Sequence, residues 1–127
     1  MKEETVTATG EAVASIDAAV VLKISGHYCH AKRKHTYFAD KMFFYENNAE
    51  EAKAKLGTVR MLLRMELKQG EVYAETLLNC EVAEICDALA RGNKAQAVEE
   101  CYDAIAVLLR MVDVLESRQT LGKPNES

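Results

Sequence analysis

Two pairs of acidic residues are set apart by their spacing: Glu81 with Glu84, and Glu100 with Asp103. The members of each pair are three positions apart, the interval that puts two side chains on one face of an α-helix. Between the pairs lies Arg91-Gly92-Asn93, a combination that turns a chain. Glu84 and Glu100 stand equally far from Gly92, and so do Glu81 and Asp103. If the flanking segments are antiparallel helices, equal distance from the turn means equal height, about 12 Å above it for the inner pair. The spacing therefore predicts four carboxylates converging on one point. Such a group repels itself unless protons or cations intervene. Mg²⁺ or Mn²⁺, hard cations that prefer oxygen ligands, would relieve the repulsion; held this way they clamp polyphosphates and lower the pKa of an attacking water. The plainer reading is a solvated acidic helix face, which carries E-x-x-E spacing without any ion.

The elements that must position these acids are helices. One proline and six glycines in 127 residues leave little punctuation, and 49% hydrophobic with 28% charged residues suits a globular chain. Apolar residues at intervals of three and four predict a first helix from about Glu11 through Val13, Ile16, Val20, Ile24 and Tyr28 towards Tyr45. It is continuous or broken near Gly26 or Thr36, although "VVLKI" also has strand character. A second helix is expected over 49–68, with Ala52, Leu56, Val59, Leu63 and Leu67 on one face and Gly70 closing it. A third is expected over 71–90 on Leu78, Val82, Ile85 and Leu89, and a fourth over 94–118 on Val98, Ile105, Leu109, Val112 and Leu115. The expected whole is a single all-α domain, ordered over 10–118 with polar tails, built as a helical bundle around a central antiparallel hairpin.

The stretch Glu81-Val-Ala-Glu84, then Glu100-Cys-Tyr-Asp103, then "AIAVLLRMVDVLE" resembles the MazG-type all-α nucleoside triphosphate pyrophosphohydrolases over about residues 75–116. The signature of that family is E-E-x-x-E, a spacer, and E-x-x-D. The resemblance implies that Glu81, Glu84, Glu100 and Asp103 are catalytic metal ligands for Mg²⁺, with Mn²⁺ as an alternative. It implies hydrolysis of a nucleoside triphosphate, a dNTP by preference, to the monophosphate and pyrophosphate. It also implies a homodimer or a dimer of dimers. One position departs: Cys80 stands where the family has the first glutamate of its E-E pair. A thiol does not replace a carboxylate on a hard cation, so reduced or absent activity follows if that position serves a metal. Asp87 and Glu99 are nearby acids that could substitute, although the plainer reading of both is a solvated surface charge. The rival reading is a catalytically silent helical bundle that binds a nucleotide or a protein partner.

The segment "GHYCHAKRKHTYF" carries further chemistry. Lys32, Arg33 and Lys34 suit the phosphates of a bound nucleotide, or simply a solvated basic face. His27, Cys29, His30 and His35 lack a standard zinc-ligand spacing. A net charge of −4 argues against nucleic acid as the partner. The aromatics Tyr37, Phe38, Phe43, Phe44 and Tyr45 suit a core plus a subunit interface. Without a C-x-x-C pair, Cys29, Cys80, Cys86 and Cys101 read as reduced thiols. The polar, acidic opening "MKEETVTATGE" and the lack of a long apolar run give the expectation of a cytoplasmic protein without a membrane span.

Overall fold

The structure is a computed structural model that describes residues 4–6 and 12–120. The fold is helical, with four α-helices and one small antiparallel strand pair among the described residues. Packing divides the chain into two units after Asp40.

In the N-terminal unit, β1 (Glu4–Val6) pairs antiparallel with β2 (Ala12–Ala14), with Glu4 opposite Ala14 and Val6 opposite Ala12. Residues expected to fray therefore include a strand, and Val13 belongs to the second strand instead of a helix. Thr and Val content suits extended backbone, and cross-strand pairing overrides the weak helical spacing there. Helix α1 (Ala18–Lys34) begins at Asp17, whose carboxylate accepts the Ala19 N–H at 3.0 Å. It runs through Gly26 unbroken and ends at Lys34, so the long helix towards Tyr45 is corrected to a helix eleven residues shorter at its C-terminal side. "VVLKI" is helical. No residue of α1 is buried.

In the C-terminal unit, residues 41–48 form a turn held by the Glu46 carboxylate, which accepts the Met42 and Phe43 N–H groups. Asn48 then caps α2 (Ala49–Gln69) by accepting the Glu51 N–H at 3.1 Å. Gly70 ends α2 in the left-handed region, φ 77°, donating back to Glu66 and Leu67 carbonyls. Helix α3 (Ala74–Ala90) has no cap from its own Tyr73. The buried Glu66 of α2 supplies one: its carboxylate accepts the Tyr73 N–H at 3.0 Å and the Thr76 hydroxyl at 2.5 Å. Glu66, not Leu67, is thus the buried end of the α2 stripe; Leu67 is exposed.

Helix α4 (Lys94–Thr120) follows after Arg91-Gly92-Asn93. Gly92 has φ 75°, a conformation that costs other residues about 1 kcal/mol, and Asn93 accepts the Gln96 N–H at 3.0 Å as the cap of α4. The polar tail expected after Arg118 begins with helix, since α4 continues to Thr120; residues 121–127 lie outside the described ones. Helices α2, α3 and α4 pack in sequence, α3 against both neighbours. The core is small: Ile85, Ala88 and Ala97, with Phe43, Leu89 and Ala104 packed on it. The predicted α4 stripe is displaced. Val98, Ile105 and Leu115 are exposed, and the face turned to α3 carries Ala97, Glu100, Ala104 and Val107 instead. Small residues win there because they let the two helix backbones approach.

Candidate functional site

The hairpin turn and its register bring acids from both helices together. Glu81 and Glu84 of α3 and Glu100 of α4 each offer an oxygen within 4.8 Å of the others. Among the described residues this is the one grouping of three or more metal-ligating side chains. His27, Cys29, His30 and His35 form no such group. Asp103 is exposed and stands outside that trio, yet its charge reaches both Glu81 and Glu100.

Crowding shows in the titration of the site. Burial pushes the Glu81 carboxyl up to about 7; a hydrogen bond shared with Glu84 and the charges of Glu84, Asp103 and Glu100 add to it. Glu100 is also raised, first by burial and then by Glu84 and Asp103, against the opposing pull of Gln96, whose side-chain amide donates to it. One oxygen of Glu81, Oε1, is buried without a hydrogen-bond partner. A buried acceptor without a donor, inside a set made only of carboxylates, suits a hard divalent cation.

Sequence reading missed Arg60. It sits on α2, and its guanidinium lies 2.8 Å from Glu84 Oε2. The hydrogen bond to Glu84 raises the Arg60 pKa further. Arg60 follows Val59 in the α2 stripe, so it borders the core in the same way that Glu84 borders it on α3. That adjacency was the available signal. The ion pair neutralises one of the acids and leaves the cation half exposed, within reach of an anionic ligand.

Cys80 does not join the acids. It is buried, 5% exposed, and its thiol is raised first by burial and then by Glu84 and Glu81, with Arg60 and Glu66 of α2 also close. Of the possible substitute acids, Asp87 is engaged by Arg91 at 3.0 Å and Glu99 faces solvent. Lys32, Arg33 and Lys34 form the exposed last turn of α1, where cations complement the carbonyl end of the helix. Lys32 lies 5.4 Å above the Tyr28 ring. Tyr37, Phe38 and Phe44 are exposed in non-helical chain, while Phe43 packs on the core. No disulfide forms: Cys80 and Cys86 are buried thiols, Cys29 and Cys101 exposed ones. No helix among the described residues is long and apolar enough to cross a membrane.

No protein-family model, curated protein or solved structure matches this chain. The resemblance to the pyrophosphohydrolases is one of motif residues alone.

Proposed function

We propose that this protein is a Mg²⁺-dependent hydrolase that cleaves a nucleoside triphosphate, a dNTP by preference, to the monophosphate and pyrophosphate. The observation that carries the reading is the convergence of Glu81, Glu84 and Glu100, with Glu81 Oε1 buried and unpartnered. These three would hold the cation, with Asp103 beside them adding negative charge. When bound, Mg²⁺ supplies charge neutralisation of phosphate oxygens and a more acidic water. Arg60, already oriented by Glu84, offers its free guanidinium edge to a phosphate oxygen. A homodimer or dimer of dimers is proposed as the working assembly, since α4 leaves Val98, Tyr102 and Ile105 exposed.

A second reading has its own observation. The Arg60–Glu84 ion pair and Cys80 together leave the acidic site with less negative charge than the family pattern carries. That favours a catalytically silent bundle which binds a nucleotide or a protein partner.

Incubation of the pure protein with each dNTP and Mg²⁺, reading pyrophosphate, separates the two. Turnover is expected, and Glu84→Gln or Asp103→Asn should lower it by about 10- to 100-fold. Asp103→Asn should leave apo stability equal or higher, because it removes one repelling charge. Full activity in both variants would reject the site, and absence of pyrophosphate from the wild type would favour the silent bundle.

A further inference from the structure

The helix faces of α3 and α4 that carry the acidic cluster continue beyond it, away from the Gly92 turn. On α4, Glu100, Asp103, Val107, Arg110, Met111 and Val114 recur at helical spacing on one face. On α3, Leu77 lies one turn before Glu81 on the same face. Leu77 and Val107 are equally far from Gly92, the same register that pairs Glu84 with Glu100. Beyond the acids these side chains open into a cavity of about 270 Å³, lined by Leu77, Val107, Met111, Val114, Arg110 and Arg118 among others. Its near end stands one turn from the carboxylates, about 6 Å along the axis.

Size and chemistry restrict the occupant. Small-molecule sites run from about 300 Å³ upwards, so this cavity accepts one ring system and not a whole nucleotide. A larger cavity of about 620 Å³ opens through Asn79, Val82 and Cys86, on the opposite face of α3, and does not continue the acidic line. The walls of the smaller cavity are aliphatic, apart from Arg110 and Arg118. Guanidinium groups only donate hydrogen bonds. A ring held there meets apolar contact on its faces and donors, without side-chain acceptors, at its edge.

We propose that this cavity is a nucleobase subsite, and that Arg110 makes it select oxo bases. The inference rests on the nucleotide reading of the acidic site. Guanine presents O6 and thymine O4 as acceptors where adenine and cytosine present amino donors, while the N7 acceptor is common to both purines. Arg110 satisfies the first group and leaves the amino groups of the second unpaired.

Calorimetry with α,β-blocked nucleoside triphosphates of all four bases, in Mg²⁺ or Ca²⁺, tests this without turnover. The wild type should bind guanine and thymine analogues roughly tenfold or more tighter than adenine and cytosine analogues. Arg110→Met should bring the oxo bases down to the level of adenine and leave adenine affinity unchanged. Val107→Asp should weaken all four by putting a charge against the ring. An unchanged melting temperature for Arg110→Met assigns its effect to binding. Metal-dependent binding with no base preference, or an equal loss for every base in Arg110→Met, would overturn the subsite while leaving the proposed function standing. No metal-dependent binding by the wild type would overturn both.

Discussion

Helices α1 and α3 have the same length, 17 residues, and both carry apolar residues at helical intervals. Their fates differ. α3 buries Thr76, Cys80, Ile85, Cys86 and Ala88, and α1 buries nothing. Val21, Ile24 and Tyr28 of α1 are as regularly spaced as the buried positions of α3, yet each is more than 40% exposed. The difference teaches that periodicity records the ability to present an apolar face, not the presence of something to cover it. α3 is covered because short connections on either side fold α2 and α4 back on it. Burial then changes chemistry as well as stability: Glu81 of α3 borders a core and its carboxyl is pushed up, while Lys32, Arg33 and Lys34 of α1 are exposed.

The largest effect is expected at Cys80. Cys80→Glu would restore the acidic pair of the resembling family, but at a position 5% exposed it places a carboxylate in the interior. A loss of several kcal/mol is expected in denaturant unfolding. Unchanged stability with faster hydrolysis at low Mg²⁺ would mean that the side chain reaches the metal site instead.

Next in size is Ile85→Ala. Removing the largest member of the small core should cost about 2–5 kcal/mol. A loss below about 1 kcal/mol would mean that the Ile85 cluster is not the main source of stability.

The pH dependence comes third. In the folded protein Glu81 titrates near 7, above the ordinary 4.5. Between those values the native state holds more protons than the unfolded chain, so the stability that Glu81 contributes is fully present below about 4.5 and is lost as pH rises through 7. The raised Glu100 works in the same direction. The metal-free protein should therefore melt higher at pH 5 than at pH 8, by on the order of 1 kcal/mol after solvent screening. Mg²⁺ should raise the melting temperature more at pH 8 than at pH 5, because protons compete for the same oxygens. A metal-free stability that rises over this window would show that the carboxylates are not crowded.

The smallest effect is expected from Ile24→Ala on α1. With no buried surface to lose, the change should stay within about 0.5 kcal/mol. A loss as large as that of Ile85→Ala would show that α1 is covered in solution, and the contrast between the two helices would collapse into one of partners.

How much was legible follows the range of the interaction. The amino-acid sequence by itself determined the three helices of the C-terminal unit almost to their ends. Gly70 and Gly92 supply left-handed stops, and Asn48 and Asn93 supply caps; these are local effects. It also determined the matched heights of Glu84 and Glu100, because a short turn at Gly92 fixes the register of a hairpin. It misread the N-terminal third, where strand pairing between Glu4–Val6 and Ala12–Ala14 outweighed the weak helical spacing. Tertiary structure alone decided which face of α4 meets α3. Large residues at 98 and 105 had every local right to the core, but close approach of two helices favours Ala97 and Ala104. It alone decided that Glu66 would cap α3, that Arg60 would meet Glu84 from 24 positions away, and that Cys80 would face inward. Each of these joins separate helices, and side-chain spacing within one helix carries no information about the rotation of its neighbour.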